Sequence, residues 1–182
     1  MDTIEKGLVI LYTGEGKGKT TAALGLVLRA VGYKKKCLII QFGKHWFTGE
    51  LAGIKRLSPL VEIIQGGKGF MNVKDFALKS NQPKQQHEKA AEETFELLYK
   101  EVLSDKWDIV VADEIVGAVS SGVLPIEKVL KLIENKPVQL DLVLTGHHAP
   151  KKLIEMADLV TEMKEIKHPF QKGILAKKGV DF

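Results

Sequence analysis

Short unbroken apolar runs alternate along the chain with stretches in which apolar side chains recur every three or four residues. Runs of the first kind suit strands, the unbroken one at 37–42 a parallel strand buried on both faces, and the second spacing is that of a helix with one face turned to a core. Residues 8–13, 37–42, 60–64, 108–112, 140–144 and a short run at 159–163 read as strands. Between the first two, 20–31 reads as a helix that packs through Ala23, Leu24, Val27, Leu28 and Val31, with Gly32 just past its end. A short helix through Leu51, Ile54 and Leu57 is stopped by Pro59. A long one over 85–102 buries Ala91, Phe95, Leu98 and Val102, and its other face is Glu and Lys. Pro125 opens a helix with Val129, Leu132 and Ile133 inward, and 150–157 forms the last helix. There is no internal repeat, low-complexity tract or linker. The alternation therefore predicts an α/β chain of one domain, 1–182, in three layers with a mainly parallel central sheet.

The polar intervals are uneven. Residues 43–50 are too polar and glycine-rich for a regular element, and 65–72 form a second glycine-rich loop. Residues 73–84 are polar without periodicity, the pattern of a mobile lid or a disordered segment. Residues 164–170 are too polar for the core and too aromatic for a plain tail, and read as an ordered segment near the cleft.

Composition narrows the partners. With 45% apolar and 27% charged residues the chain is an ordinary globular protein. A net charge of +4 is too weak to argue for nucleic acid. Its one basic run, Lys34-Lys35-Lys36, falls between a helix and a strand and reads as a solvated turn. The single cysteine, Cys37, begins an apolar strand, so a buried thiol is expected and no disulfide within the chain. No basic-then-apolar leader opens the sequence, and no apolar run approaches the ~18 residues of a membrane span. A cytoplasmic protein, with neither membrane nor nucleic acid as partner, is expected.

Chemistry is concentrated where the first strand meets the first helix. Thr13-Gly14-Glu15-Gly16-Lys17-Gly18-Lys19-Thr20-Thr21 has the layout of a phosphate-binding P-loop. Gly14, Gly16 and Gly18 let backbone N–H groups turn toward an anion, Lys19 reaches the outer phosphates, and the Thr20 hydroxyl can ligate Mg²⁺. In the usual G-x-x-x-x-G-K-[ST] pattern the first glycine would stand at position 13, which here is Thr13, so the loop is one residue short. A glycine turn without a ligand is the competing reading. Against it, a lysine at a helix N-terminus opposes the helix dipole unless an anion is present.

Two further strand ends point to the same place. Asp108-Ile109-Val110-Val111-Ala112-Asp113-Glu114 is an apolar strand ending in two carboxylates, the Walker B arrangement, which supplies oxygen ligands for Mg²⁺. In an ATPase the second carboxylate would activate water; in another transferase it could hold the metal. Leu144-Thr145-Gly146-His147-His148 ends the fifth strand where a phosphate sensor would sit. The adjacent histidines are expected to alternate in direction, and so not to form a metal pair.

Together these stretches resemble the P-loop type of corrinoid adenosyltransferase, which moves the 5′-deoxyadenosyl group of ATP onto cobalt(I) of cobalamin or a precursor. The likeness also takes in Ile40-Gln41-Phe42, Thr48-Gly49-Glu50, Gly69-Phe70, Ala157 to Lys164, Lys167-His168-Pro169-Phe170 and Gly179-Val180-Asp181-Phe182. The short P-loop is itself a mark of that family. The resemblance implies a RecA-like homodimer that holds Mg-ATP in the direction opposite to most P-loop enzymes, is served by a flavoprotein-type reductant, and releases tripolyphosphate.

Carried over by position, residues 14–21 (Gly14, Glu15, Gly16, Lys17, Gly18, Lys19, Thr20 and Thr21) would bind ATP with Asp113, Thr145 and His147. Lys17, Lys19 and Glu114 would be the catalytic set, Thr20 and Glu114 the metal ligands, and Phe70 would line the lower face of the corrin. There the family uses aromatic side chains to exclude a lower cobalt ligand. No general base is required, because cobalt(I) has no proton to lose. The chain departs from the family pattern at Asn72 (usually Trp), His147 (usually Arg) and Val116 (often Asn), and it lacks a long N-terminal arm. Two other readings stand beside this one: a P-loop ATPase in which Glu114 positions water, and an ATP- or corrinoid-binding relative without transferase activity.

Overall fold

Strands β1 (Val9–Thr13), β2 (Cys37–Phe42), β3 (Val61–Gly66), β4 (Ile109–Asp113), β5 (Asp141–Thr145) and β6 (Leu159–Glu162) form one sheet in the order β3-β2-β4-β5-β1-β6. The computed structural model describes residues 6–44, 46–67 and 84–182. Every pairing within the sheet is parallel, with Leu11 level with Leu144 and Val160, and Ile39 level with Ile63 and Val111. Parallel neighbours need crossover connections, and helices supply them: α1 (Lys19–Val31), α2 (Gly49–Ile54), α3 (Lys84–Val102), α4 (Ile115–Ser120), α5 (Ile126–Asn135) and α6 (Lys151–Met156). The expected short helix through Leu57 is α2 continued by a 3₁₀ turn at Lys55–Leu57.

The apolar runs of β1, β2, β4 and β5 are buried on both faces, as parallel strands between helix layers must be, whereas the edge strands β3 and β6 are more exposed. Because side chains alternate across a strand, β2 sends Leu38, Ile40 and Phe42 into one core and Cys37 and Ile39 into the other. The first core is closed by α3, α4, α5 and α6 through Phe95, Leu98, Ile115, Leu132 and Leu153. The second is closed by α1 and α2 through Ala23, Val27, Ala30 and Ile54. The Cys37 thiol is fully buried, and burial, followed by the nearby Asp108 carboxylate, pushes it up to about 11. It is protonated and inert at neutral pH.

Helix α4 was not anticipated: six residues with Gly117 inside are too short to show a period. The strand expected at 159–163 is β6, all four of whose residues are exposed at the sheet edge. The proposed lid at 73–84 lies outside the described residues except for Lys84, which begins α3. Phe70 and Asn72 also lie outside them.

Edge strand β6 is tied to β1 by more than its ladder. The Asp158 carboxylate accepts the Val9 N–H at 2.8 Å, and the Asp158 N–H donates to Val9 O at 2.9 Å. The Val9 hydrogen bond, with Lys6 nearby, holds the Asp158 carboxyl below its ordinary range. A depressed carboxyl contributes stability above the unfolded value and loses it as pH falls through the folded one. Asp158→Ala is therefore expected to cost about 1 kcal/mol in urea unfolding at neutral pH. The difference from wild type should shrink as pH falls below the ordinary value of 3.8.

Candidate active site

The carboxyl ends of β1, β4 and β5 face one cleft, and each delivers the residues that the sequence marks. β1 stops at Thr13 and the chain turns at Gly14 (φ 98°), then at Gly18 (φ 114°), both in the left-handed region that favours glycine. Gly16 is required for a different reason. A Cβ there would lie 2.7 Å from the Lys164 carbonyl carbon, so only a bare backbone can pass so close. The Gly16 N–H donates to Met163 O at 2.7 Å, and the Met163 N–H to Thr13 O at 2.8 Å. The loop is thus braced from behind by the end of β6.

Lys19 opens α1 and its side chain folds back into the loop, where Nζ donates to Gly14 O at 2.7 Å and Gly16 O at 2.9 Å. It is only 4% exposed. Burial lowers its ammonium from the usual lysine range, and Glu114, Glu15 and Asp113 partly oppose that. A buried cation whose hydrogen bonds go to carbonyl dipoles, with carboxylates only nearby, is an attractor for a polyanion.

Asp113 ends β4 and is the hub of the cleft. Its Oδ1 accepts Thr20 Oγ1 at 2.8 Å and Thr145 Oγ1 at 2.7 Å. Its Oδ2 accepts Lys44 Nζ at 2.9 Å and Gln41 Nε2 at 3.1 Å. Thr145 is the joint between β4 and β5, because its hydroxyl also accepts the Glu114 N–H at 2.9 Å. Glu114 itself sits at φ 63°, a left-handed conformation rare outside glycine, and stores backbone strain where the chain turns into α4. Burial, and then the Asp113 charge, push its carboxyl up to about 7, while Lys19 and Lys44 oppose the rise.

The structure therefore brings together Gly14, Gly16, Gly18, Lys19, Thr20, Asp113, Glu114 and Thr145. It turns Lys17 outward, where the ammonium pairs with the carboxylate of Asp181. Thr21 is exposed on the first turn of α1. The histidines do not diverge as the sequence pattern suggested. His147 Nδ1 lies 3.9 Å from Glu15 Oε2, and His148 Nδ1 lies 3.2 Å from Glu15 Oε1. They follow the strand in a loop, with Gly146 at φ 143° and His148 at φ 54°, so strand alternation does not govern them. Burial first, and then Lys19, lower the His147 imidazole, which leaves it neutral at neutral pH.

Lys44, Gln41 and Glu50 were given no role by sequence reasoning, yet they complete the shell around Asp113. Lys44 is 3.7 Å from Glu50 Oε1, which also accepts Gln41 Nε2 at 3.2 Å. The available signals were Gln41, the one polar side chain in the apolar run of β2, and the place of Gln41 and Glu50 in family-like stretches. Of residues 164–170, read as an ordered segment near the cleft, the Lys164 backbone lies against Gly16 of the loop, whereas Ile166 and Phe170 are 90% and 69% exposed. Asp181, far along the chain, had no signal beyond its place in a family-like ending.

The ATP:corrinoid adenosyltransferase family (BtuR/CobO/CobP) matches residues 5–182. A corrinoid adenosyltransferase of a Sinorhizobium species is 39% identical over 99% of this chain and 82% of its own length. That of Pseudomonas aeruginosa is 35% identical over 98% and 85%, and that of Escherichia coli K12 is 31% identical over 98% and 87%. Among solved structures, a KaiC-like protein of Pyrococcus horikoshii superimposes with a TM-score of 0.58. It covers 98% of this chain and 77% of its own, at 17% identity, and so supports the three-layer RecA-like fold. With its phosphate loop, its Walker B carboxylates and a match that runs from residue 5 to its last residue, the chain belongs to the ATP:corrinoid adenosyltransferase family.

Proposed function

We propose that the cleft holds ATP with its triphosphate on the 14–21 loop and passes the 5′-deoxyadenosyl group to cobalt(I) of a corrinoid. The observation that carries this reading is the family match over a loop whose buried lysine is already aimed at its centre. The cobalt(I) electron pair forms the bond to ribose C5′. The C5′–O bond breaks, and its electrons leave with intact tripolyphosphate. The protein's task is electrostatic, because charge gathers on the departing chain and no proton has to be removed. Lys19 exchanges the Gly14 and Gly16 carbonyls for phosphate oxygens, Lys17 adds a second cation at the rim, and the loop amides supply donors. Thr145 holds Asp113 and the Glu114 backbone in register so that this surface keeps its shape.

Mg²⁺ fits the donor set. It prefers hard oxygen ligands and usually takes one or two carboxylates, the rest of its shell coming from phosphates and water. Asp113 has two oxygens already accepting four hydrogen bonds, which fills its acceptor sites. Glu114 is the neighbouring carboxylate that keeps its capacity, so Thr20 and Glu114 would hold the ion and Asp113 would orient Thr20. When bound, the ion neutralises charge on the leaving phosphates. His147 and Glu15 lie at the rim of the same loop and are proposed to border the nucleotide. Phe70 is proposed to lie beneath the corrin, on the strength of the family resemblance. A homodimer, a flavoprotein-type electron donor and a cytoplasmic location belong to the same proposal on the same ground. Among the described residues no helix is long and apolar enough to cross a membrane.

Anaerobic incubation with ATP, Mg²⁺ and chemically reduced cobalamin should give the optical spectrum of a cobalt–carbon bond and one tripolyphosphate per turnover. ADP and phosphate as the products would establish the ATPase reading instead, and binding without turnover would establish the non-catalytic one. Lys19→Ala should weaken ATP binding by about thirtyfold or more, as expected for loss of a charge-assisted contact of ~2 kcal/mol. Unchanged affinity by calorimetry would remove the triphosphate from this loop. Thr145→Val, which deletes both bonds of the β4–β5 joint, should cost roughly 1–3 kcal/mol in denaturant unfolding.

A further inference from the structure

The end of the chain returns to the phosphate loop. At residues 177–182 the backbone forms a turn in which the Val180 and Asp181 N–H groups donate to Lys177 O at 3.0 and 2.8 Å. The Gly179 N–H closes it by donating to Phe182 O at 2.8 Å. The turn fixes one side chain. Asp181 Oδ2 accepts the Lys177 N–H at 2.7 Å, and Oδ1 faces outward onto the Lys17 ammonium, in contact with it. The Lys17 bond, and then the Lys177 N–H, hold the Asp181 carboxyl below its ordinary range. On its other side the turn reaches the start of α2, where the Phe182 main chain stands 3.9 Å from a Cβ placed on Gly49. A charge held by its own backbone turn and set on a P-loop lysine is pre-organised for that contact.

We infer that Asp181 is an internal competitor for the triphosphate: it shares Lys17 with the phosphate chain and takes it back as tripolyphosphate leaves. This rests on the reading that intact tripolyphosphate departs from this loop. A loop built to grip a polyanion has a release problem, since a product with as many phosphates as the substrate binds it as well. A carboxylate of one charge cannot keep Lys17 from ATP. It can lower the barrier to product departure by replacing phosphate oxygens as they withdraw. Lys17 and Asp181 side chains are 44% and 25% exposed, so the pair is screened and its influence is modest. That is what an exchangeable contact needs.

Calorimetric titration of tripolyphosphate into the full chain tests this with Asp181→Asn, Lys17→Ala, the double variant and Glu165→Gln. Asp181→Asn should bind tripolyphosphate about three- to fivefold more tightly than wild type. In the Lys17→Ala background the same change should shift binding by less than about twofold, as expected for an effect carried by one pair. Glu165→Gln removes a charge next to Lys164, whose backbone lies against the loop, but one that accepts Gln171 Nε2 and does not pair with Lys17. It should leave the affinity within about twofold of wild type. Unchanged or weaker binding in Asp181→Asn would overturn the inference, and so would an equal gain with Lys17 absent or an equal gain from Glu165→Gln. Tripolyphosphate binding is read without corrinoid, so the two failures are distinct. A wild-type chain that forms no cobalt–carbon bond would sink the transferase reading and this inference with it. A chain that forms the bond but gains no affinity in Asp181→Asn would sink this inference alone.

Discussion

A carboxylate that is 1% exposed has to find its hydrogen bonds inside the protein, and the cleft is arranged around how Asp113 does so. Its four donors come from four places in the chain: Thr20 at the start of α1, Gln41 in β2, Lys44 in the loop beyond it, and Thr145 at the end of β5. Each bond ties one of these segments to the end of β4. The loss of any one would leave a buried charge partly unsatisfied, so the four segments are held as a unit. The Lys44 ammonium is the one charged donor among the four, and without it a buried anion would stand beside Glu114 unopposed from that side.

The same unit explains how the loop can be rich in glycine and still hold a shape. Glycine gives the backbone freedom that must be taken away again before the loop can bind with any precision. Here β6 takes it away. Gly14 and Gly16 press against the Met163–Lys164 backbone so closely that no side chain could intervene, and two backbone hydrogen bonds lock the contact. An edge strand with four exposed residues buries little apolar area, yet it is the wall against which the phosphate loop is cast. Asp158, by tying β6 to the start of β1, therefore bears on the geometry of the loop at the strand's far end.

What was legible in the sequence was what depends on local pattern. The buried strands, helix α1 and the two strand ends at Asp113 and Thr145 could be read because unbroken apolar runs and glycine spacing are local properties. Two kinds of feature escaped. Helix α4 is too short to show a period, and the His147–His148 pair lies in a loop where positive φ at Gly146 and His148 overrides the two-residue alternation of a strand. The others are contacts between distant residues. Nothing local says that Lys44 lies 2.9 Å from Asp113, or that Asp181 closes on Lys17. The first pair is set by the order of strands, which puts β2 beside β4, and the second by the turn at residues 177–182.

The short phosphate loop follows from the same geometry. Position 13, where a first glycine would stand, belongs to the strand: Thr13 is the last residue of β1 and is still level with Glu162 of β6. Extended backbone has no need of glycine. The turn starts one residue later, at Gly14, and the side chain that replaces glycine gains a partner. Thr13 Oγ1 accepts the Ala149 N–H at 3.2 Å, which joins the end of β1 to the loop that carries His147 and His148. Those histidines face Glu15 inside the phosphate loop, so the connection is made twice, once through a buried hydroxyl and once at the surface. A glycine at 13 would leave the Ala149 N–H without that acceptor and loosen the β5 loop from the phosphate loop. The residue that makes the motif irregular is the one that binds its two halves together.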